Sequence, residues 1–295
     1  MSGNTYHSPG LQTPSAFPPQ HQDFQPGLQR RMNPRPVTDN QYYRAAGKLA
    51  GRAAIITGGD SGIGQAVAVA FAKEGADIAI AFYNERTDAE STKQMVESYG
   101  RKCLLIDCDL KQEQSAQQVV ERTVREFGHL DVLVNNIAVQ YPKNSIEDIT
   151  SEQLNITFST NVLSYFFMIK AALPHLKEGA SIINTTSVVA YKGAGNMLDY
   201  SATKGAVTSF TRSLALSLAG RGIRVNAVAP GPVWTPLITS SFSAEEVEKF
   251  GKDVPLGRAA QPFELAPAYV YLASDDSGYV TGQVLHVNGG TITES

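Results

Sequence analysis

The chain has 295 residues, which is long enough for one large α/β domain. Its hydrophobic content is 42%, its charged content is 18% and its formal net charge is −3. This balance is typical of a globular protein and argues against a nucleic-acid partner, because no basic stripe is available to neutralise phosphates. The sequence has neither an apolar run of membrane-spanning length nor a signal-peptide pattern, so we expect no membrane partner and a cytoplasmic location.

Residues 1–48 differ in composition from the rest of the chain. They hold seven of the 15 prolines, in stretches such as FPPQHQDFQPG, with glutamine, serine and glycine between them. Such a segment buries too little apolar area to offset its ordering entropy, which predicts an extended or partly disordered N-terminal extension. Phe17, Phe24, Tyr42 and Tyr43 could anchor it on the folded domain or on a neighbouring subunit. A solvated tail is the alternative.

From residue 49 to 295, short apolar runs alternate with amphipathic stretches. The predicted strands are 53–57, 77–82, 102–107, 131–136, 181–187, 224–229 and 284–289. The predicted helices are 63–74, about 86–99, 113–127, about 151–177, 199–220 and 262–273. Apolar strands that alternate with helices indicate a parallel sheet covered on both faces, and right-handed crossovers predict a single Rossmann-type doubly wound sheet of about seven strands.

A glycine-rich turn joins the first predicted strand to the first predicted helix. In IITGGDSGIGQAVAVAFAKEGA, this junction carries Gly58, Gly62 and Gly64. Glycine lets the backbone approach a phosphate, and a helix N-terminus presents free N–H groups with a partial positive charge. Three glycines alone are a weak motif, but the strand-turn-helix context is the one that a pyrophosphate site requires. The turn therefore predicts a dinucleotide cofactor.

A second motif pairs Tyr200 with Lys204 in YSATK. Alone it is weak, because chance gives about half an occurrence of Tyr-x-x-x-Lys in a chain of this composition. Ser187 adds to it, since it ends a predicted strand where the carboxyl edge of a parallel sheet faces a binding crevice. A lysine ammonium about 4 Å from a phenolate contributes on the order of 4 kcal/mol, which predicts a tyrosine pKa lowered by about three units. Tyr200 then becomes an acid/base for carbonyl or alcohol chemistry, with Ser187 stabilising charge on the substrate oxygen.

These motifs together resemble the short-chain dehydrogenase/reductase family. The matching segments are TGGDSGIG at 57–64, DCDL at 107–110, NNIA at 135–138, Asn161, Ser187, YSATK at 200–204 and PGPVWTP at 230–236. The resemblance implies hydride transfer between a nicotinamide cofactor and a small-molecule carbonyl or alcohol such as a sugar, polyol or aldehyde, usually in a homotetramer. The proline-rich extension followed by GGDSGIG resembles the branch of bacterial general stress oxidoreductases related to glucose/ribitol dehydrogenase-like proteins.

The resemblance also implies roles for individual residues. The catalytic positions are Asn161, Ser187, Tyr200 and Lys204. The cofactor contacts are Gly58, Asp60, Ser61, Gly62, Ile63, Gly64, Tyr83, Asn84, Asp109, Leu110, Asn136, Ala138, Tyr200, Lys204, Pro230, Gly231, Val233 and Thr235. The family form Asn-Asn-Ala-Gly is replaced here by bulkier residues at Ile137 and Ala138. The histidines form no ligand spacing with each other or with the cysteines, so we expect no metal.

The choice between NAD and NADP depends on the end of the second strand, where the adenosine ribose binds in this fold. Phe82 and Tyr83 stand where NAD-preferring members often have aspartate and NADP-preferring members often have arginine. Two residues that could reach the ribose are Asn84 and Glu85. Asp60 and Ser61 lie where NADP enzymes often carry a basic residue, so we expect NAD or NADP with NAD favoured, and Arg86 keeps NADP open.

A long loop at about 232–258 separates the last two predicted strands and is expected to cover the substrate. Ser243 and Glu246 form a capping-box pattern that predicts a short helix within it. Candidates for the pocket wall are Trp234, Phe242, Tyr191, Met197 and Gln140. Two alternatives to a small-molecule dehydrogenase stay open: a ketoacyl-thioester reductase, and a cofactor-binding stress protein with little turnover.

Overall fold

The computed structural model describes residues 13, 14 and 16–292. Its seven strands are β1 (Ala53–Thr57), β2 (Asp77–Phe82), β3 (Cys103–Asp107), β4 (Val132–Asn135), β5 (Ser181–Thr185), β6 (Arg224–Pro230) and β7 (Val284–Val287). All pair in parallel in the order β3-β2-β1-β4-β5-β6-β7. The predicted Rossmann-type doubly wound sheet is therefore confirmed, and the strand order reverses between β1 and β4, where such folds bind their ligands.

The helices surround this sheet. They are α1 (Gly62–Lys73), α2 (Arg86–Ser98), α3 (Glu113–Phe127), α4 (Ser151–Phe158), α5 (Ser164–Ala172), α6 (Val189–Lys192), α7 (Leu198–Leu218), α8 (Pro236–Thr239), α9 (Ala244–Lys249) and α10 (Ala266–Ala273). One buried apolar cluster joins α1, α2 and α10 to one sheet face, and a second joins α3, α5 and α7 to the other. Both faces are covered, which explains why β1 is buried at every position.

Local chemistry accounts for the two helices that flank the site most closely. Ala66, Ala68 and Ala70 are buried on α1, and their small side chains let this helix lie close to the sheet. In the loop after β6, Ser243 and Glu246 form the predicted capping box at the start of α9. The reciprocal bonds satisfy backbone donors that a helix N-terminus leaves free, so a six-residue helix forms inside the loop.

Several predicted boundaries are wrong. The helix predicted at about 151–177 is divided into α4 and α5 by a π-helical turn at Ser159–Leu163, and α5 ends at Ala172 shortly before Pro174. The strand predicted at 181–187 ends at Thr185, so Ser187 follows β5 rather than ending it. The helix predicted at 262–273 begins as a 3₁₀ turn, Pro262–Glu264, before α10. Proline removes a backbone donor and clashes with the preceding turn, which favours the end of α5 before Pro174.

The described part of the N-terminal extension lies along the domain. Phe17 is buried against the loop after β6, and the hydroxyl of Tyr43 donates to the carboxylate of Glu74. The other two proposed anchors are solvent-exposed, with 40% of Phe24 and 60% of Tyr42 accessible. Residues 1–12 and 15 of the extension are outside the described residues. Within the described ranges, no helix is both long and apolar enough to cross a membrane.

Candidate active site

A crevice of about 1080 Å³ runs along the carboxyl edge of the sheet, from the turn between β1 and α1 to the loop after β6. Predicted site residues that line it are Gly58, Asp60, Ser61, Gly62, Ile63, Tyr83, Asp109, Leu110, Asn136, Ala138, Ser187, Tyr200, Lys204, Pro230, Gly231, Val233 and Thr235. Three predicted residues are not part of its lining: Gly64, Asn84 and Asn161. Residues far apart in sequence therefore meet in one cavity because parallel strands end at the same edge.

The glycine turn has the geometry of a backbone cradle. Gly58 and Gly62 adopt φ values of +66° and +52°, which side chains disfavour. A Cβ on Gly64 would lie only 1.9 Å from the carbonyl oxygen of Gly58, so the helix approaches the turn too closely for any other residue. Gly64 thus supports the cradle from behind and does not line it. Open backbone N–H groups at the start of α1 suit an anionic pyrophosphate.

The segment after β4 is fastened to this turn. The Asn136 side-chain amide donates to the carbonyls of Thr57 (3.2 Å) and Gly58 (3.3 Å), and its backbone N–H donates to the Thr57 hydroxyl (2.9 Å). A Cβ on Gly58 would meet the Ile137 side chain at 3.1 Å. The extra bulk of Ile137 is therefore accommodated against Gly58, and the backbone path is kept by the hydrogen bonds of Asn136.

Acidic residues of the glycine turn and of the segment after β2 lie close together. Asp60 is buried, and burial raises the pKa of its carboxyl to about 6, with Asp88 and Glu85 adding to this shift. An Arg30 guanidinium nitrogen lies 3.6 Å from a carboxylate oxygen of each of these two neighbours. Asn84 has a positive φ of +65° at this point. A carboxylate favours ribose hydroxyls over a 2′-phosphate, whose negative charge it repels.

Tyr200, Lys204 and Ser187 come together at the other end of the crevice. Tyr200 and Lys204 lie one turn apart on α7, and all three side chains are at least nine-tenths buried. The Ser187 side chain lies next to the Tyr200 hydroxyl, close enough to lower the pKa of the phenol. Lys204 Nζ donates to the Thr185 carbonyl oxygen (2.8 Å) and lies 5.6 Å from the centroid of the Tyr200 ring. Two hydroxyls and an amine therefore line the same end of the crevice.

The expected lowering of the tyrosine pKa is wrong for this structure. Burial raises the pKa of Tyr200 to about 12, and the Ser187 side chain opposes that shift only in part. Burial also lowers the pKa of Lys204 to about 7. Removal from water disfavours both charged forms, and Lys204 directs its amine at the Thr185 carbonyl. At pH 7, Tyr200 therefore holds its proton.

Asn161 supports the site from the π-helical turn. Its side-chain amide donates to the Val139 carbonyl (2.9 Å) and the Thr203 hydroxyl (3.1 Å), while its oxygen accepts from the Val139 backbone N–H (2.8 Å). Thr203 lies on α7 between Tyr200 and Lys204. These bonds join the segment after β4 to the helix that carries Tyr200 and Lys204, and π turns are frequent at functional sites.

Sequence reasoning misjudged some wall residues and missed others. Gln140, Met197 and Phe242 line the crevice, but Tyr191 does not. Trp234 is fully buried under the extension and is also absent from the lining. Crevice residues that the sequence did not indicate include Gln25, Pro26, Gly27, Thr185 and Thr186. The position of the two threonines at the carboxyl end of β5 was an available signal, whereas the extension carried no pattern that pointed to the site.

The crevice fits a dinucleotide on three counts. Its volume exceeds the usual range of small-molecule pockets, about 300 to 1,000 Å³. The Gly58–Gly64 contact leaves no room for a side chain beneath the cradle. The cavity is also continuous from this cradle to Tyr200, which matches an elongated ligand with an anionic middle and a reactive end. The residues that would hold such a cofactor are those of the turn, of the segments after β2, β3 and β4, and of Pro230 to Thr235.

Comparison with known proteins decides the family. A family model described as enoyl-(acyl carrier protein) reductase matches residues 58–292. A crystal structure of a short chain dehydrogenase from Burkholderia cenocepacia J2315 in complex with NADP superposes with a TM-score of 0.78 at 29% identity, covering 82% of this chain and 98% of that one. The chain belongs to the short-chain dehydrogenase/reductase family. It is thus an oxidoreductase by membership, and this agrees with the resemblance noted in its motifs.

Other short-chain dehydrogenases/reductases extend the comparison. One from Mycobacterium paratuberculosis, bound to NAD, gives a TM-score of 0.74 at 32% identity over 82% of this chain and 98% of that one. The solved neighbours therefore bind either nicotinamide cofactor.

Among curated relatives of this short-chain dehydrogenase/reductase, general stress protein 39 of Bacillus subtilis (strain 168) is 56% identical over 277 residues, covering 94% of this chain and 97% of the relative. Glucose and ribitol dehydrogenase of Daucus carota is 52% identical, covering 94% and 97%. NADPH-dependent aldehyde reductase 1 of Arabidopsis thaliana is 50% identical, covering 94% and 98%. The 277 aligned residues outnumber residues 49–295, so the similarity to the stress protein continues into the extension.

Proposed function

We propose that the protein transfers a hydride between NAD or NADP and a small carbonyl or alcohol, with Tyr200 as the general acid/base. The observation that supports this most directly is that Ser187, Tyr200 and Lys204 share one cavity with the glycine turn. The names of the relatives add sugars, polyols and aldehydes as candidate substrates. A bound nicotinamide would supply the hydride for reduction or accept it in oxidation.

The protein's own residues would handle the proton. The Tyr200 phenol donates its proton to the substrate oxygen as a carbonyl is reduced, and its phenolate takes the proton back when an alcohol is oxidised. Ser187 donates a hydrogen bond to the same oxygen as negative charge develops there. Lys204 would stabilise the phenolate when its amine is protonated, although burial lowers the pKa of that amine to about 7. Asn161 keeps α7 in register with the segment after β4 through the hydrogen bonds described above, and we assign it a supporting role.

We also propose that NAD is the preferred cofactor. Asp60 in the glycine turn, with Glu85 and Asp88 after β2, carries negative charge that opposes the phosphate distinguishing NADP. Arg30 lies against two of these carboxylates and reduces their net effect. The NADPH-dependent relative makes NADP the competing outcome.

Assembly, location and role in stress belong to the same proposal. Leu163 and Phe166 are more than two-fifths exposed beside α5, and Leu216 is 84% exposed on α7. Apolar side chains exposed on neighbouring helices are typical of subunit contacts, which supports a homotetramer. We expect sedimentation to give four chains per particle, and a monomer would contradict this. The cytoplasmic location and the stress role follow the expectation from the sequence and the name of a relative.

The proposal is tested by assaying NADH, NADPH and their oxidised forms against aldehydes, ketones, sugars, polyols and ketoacyl or enoyl thioesters. We expect turnover with a small carbonyl or alcohol. Replacement of Tyr200 by Phe should lower kcat about 10²- to 10⁴-fold, the usual contribution of general acid–base catalysis. Cofactor affinity should stay within about twofold, because the phenol is remote from the glycine turn. Replacement of Tyr271, a partly exposed tyrosine on α10, by Phe is the matched control.

Each other outcome of this assay has a distinct meaning. Turnover confined to thioesters would favour the acyl-reductase alternative, which the description of the family model suggests. Binding of cofactor without turnover on any substrate would favour a cofactor-binding stress protein. Full activity of the Tyr200→Phe variant would show that another group transfers the proton.

A further inference from the structure

A segment of the extension, residues 16–40, crosses the mouth of the crevice, and we call it the strap. It covers Trp234, which belongs to the loop after β6. Phe17 stacks on the Trp234 ring with 3.8 Å between centroids and 5° between planes, and the indole N–H donates to the Pro34 carbonyl (2.8 Å). The strap therefore contacts both the face of this ring, through Phe17, and its N–H edge, through Pro34.

Gln22 fastens the strap to α8. Its backbone N–H donates to the Thr239 carbonyl (2.8 Å), and its side-chain amide donates to the Thr239 hydroxyl (3.1 Å) and the Leu28 carbonyl (3.0 Å). Its side-chain oxygen accepts from the Leu28 N–H (2.8 Å). Gln22 is buried, so these bonds are sheltered from water. A buried amide with this many partners holds one conformation of both segments.

Between these fixed points, the strap forms part of the crevice wall. Gln25, Pro26 and Gly27 line the same cavity as Tyr200 and the glycine turn. The Gln25 amide donates to the carbonyl of Gln140 (2.7 Å), the residue that follows Val139 in the segment after β4. A Cβ on Gly27 would lie 2.6 Å from the Pro236 carbonyl oxygen, so the strap touches α8 directly.

Gln29 reaches the glycine turn itself. Its side-chain oxygen accepts from the backbone N–H of Gly62 (2.8 Å), the first residue of α1. Its side-chain amide donates to Gln65 (2.6 Å), and its backbone N–H donates to the carboxylate of Asp88 (2.8 Å). Gly62 lacks a side chain and adopts a positive φ, so its backbone can take several conformations, and this bond favours the one observed. The remaining free N–H groups of the turn are thereby held in one orientation.

We propose that the strap is a functional wall of the crevice, in which Gln25, Pro26 and Gly27 bound the ligand and Gln29 is a positioning residue for the glycine turn. The inference rests on the proposed function in one respect, that the crevice binds a nicotinamide dinucleotide. It adds a part of the chain that lies outside the matched family model, residues 58–292. Release of the strap weakens dinucleotide binding and leaves Ser187, Tyr200 and Lys204 unchanged.

The test uses the full chain and measures the Kd of NADH and of NADPH from nicotinamide fluorescence. Gln29→Ala removes the acceptor for Gly62, and Gly27→Ala drives the strap from α8. We expect each to raise the Kd of the preferred cofactor at least fivefold, while kcat at saturating cofactor stays within twofold. The matched controls are Tyr42→Ala, whose side chain is exposed on the extension, and Gly220→Ala, where a Cβ meets open space. Both controls should bind NADH and NADPH with the same Kd values as the wild type.

A charge substitution separates positioning from mere folding. Gln29→Glu keeps an acceptor for Gly62 but places a negative charge beside the phosphates of the cofactor. Its cofactor Kd should therefore exceed that of Gln29→Ala at low salt. The two Kd values should approach each other in about 1 M salt, where the Debye length is about 3 Å. The chain has one tryptophan, so its emission reports whether the strap still covers Trp234 in every variant. Wild-type Kd values in Gln29→Ala and Gln29→Glu would overturn the proposal.

The outcomes for strap and chemistry are distinct. If the wild type binds a dinucleotide but turns over no substrate, the proposed chemistry fails, while the Kd comparison still decides the role of the strap. If the wild type turns over substrate and the strap variants bind normally, the strap proposal alone fails. If the wild type binds neither NADH nor NADPH, both proposals are overturned.

Discussion

Helix α7, which carries Tyr200 and Lys204, and the strap border the same crevice, yet different forces hold them there. Tyr200 and Lys204 sit on a helix of 21 residues whose buried side packs on the sheet, so their spacing follows from helix geometry. The strap contains only one short helical turn, Gln29–Arg31, and depends on side-chain bonds to distant residues. A rigid helix thus carries the Tyr200–Lys204 pair, and a weakly structured segment completes the wall.

Two glycines provide the largest test of this difference. Both Gly64 and Gly27 would place a Cβ against a backbone carbonyl, at 1.9 Å from Gly58 and 2.6 Å from Pro236. In Gly64→Ala, neither β1 nor α1 can move, so we expect a loss of about 3 kcal/mol in the free energy of unfolding and no measurable cofactor binding. In Gly27→Ala, the strap can move away from α8. The free energy of unfolding, measured with urea and circular dichroism, should therefore change by less than about 1 kcal/mol. Equal losses in both variants would mean that the strap is as rigid as the core.

The pH profile tests the catalytic helix. Burial raises the pKa of Tyr200 to about 12, so its phenolate fraction is small at pH 7. As long as the pH stays below this pKa, each unit of increase in pH raises that fraction about tenfold. Alcohol oxidation needs the phenolate, so kcat for oxidation should rise about 100-fold from pH 7 to 9, whereas carbonyl reduction uses the phenol and should stay nearly constant. A plateau in oxidation near pH 7 would mean that the bound enzyme has a much lower tyrosine pKa. Stopped-flow measurement of both directions makes the comparison.

Asp60 tests the acidic end of the crevice. Its pKa is raised to about 6, so its charge opposes folding above pH 6, and this cost disappears as the pH falls toward the unfolded value of 3.8. Asp60→Asn should therefore raise the free energy of unfolding at pH 8 by about 2 kcal/mol, with a smaller gain at pH 4. The same variant should narrow the preference for NAD over NADP. Asp148→Asn, on an exposed turn, is the control. If Asp60→Asn were no more stable than the wild type at pH 8, the buried Asp60 carboxylate would not destabilise the fold.

The smallest expected effect on global stability comes from the aromatic stack. Phe17→Ala removes the ring that covers Trp234. If the strap detaches locally, the tryptophan emission shifts to longer wavelength. The free energy of unfolding from the main urea transition should then change by less than about 1 kcal/mol. A loss of about 3 kcal/mol without an emission shift would instead assign the strap to the core. Phe24→Ala, at an exposed position of the strap, is the matched control.

Much of the molecule was predictable from local patterns. All seven strands lie at the predicted places, because apolar runs between turns reflect burial in a parallel sheet. The glycine turn and the Tyr200–Lys204 pair also occur on the expected elements. The π turn around Asn161 was not predictable, because it depends on bonds to Val139 and Thr203 rather than on periodicity. The pKa of Tyr200 was mispredicted, since spacing along a helix does not reveal burial or the direction of the lysine amine.

Sequence alone was sufficient for the fold class, and it placed the glycine turn and the Tyr200–Lys204 pair on the elements where they occur, because each depends on residue types at regular spacing. The place of the extension required three-dimensional contacts. Gln22 and Thr239 are 217 residues apart, and Phe17 and Trp234 meet over a similar separation. No local pattern encodes such pairs, because the free energy that orders a proline-rich segment comes from a surface that exists only after the domain has folded.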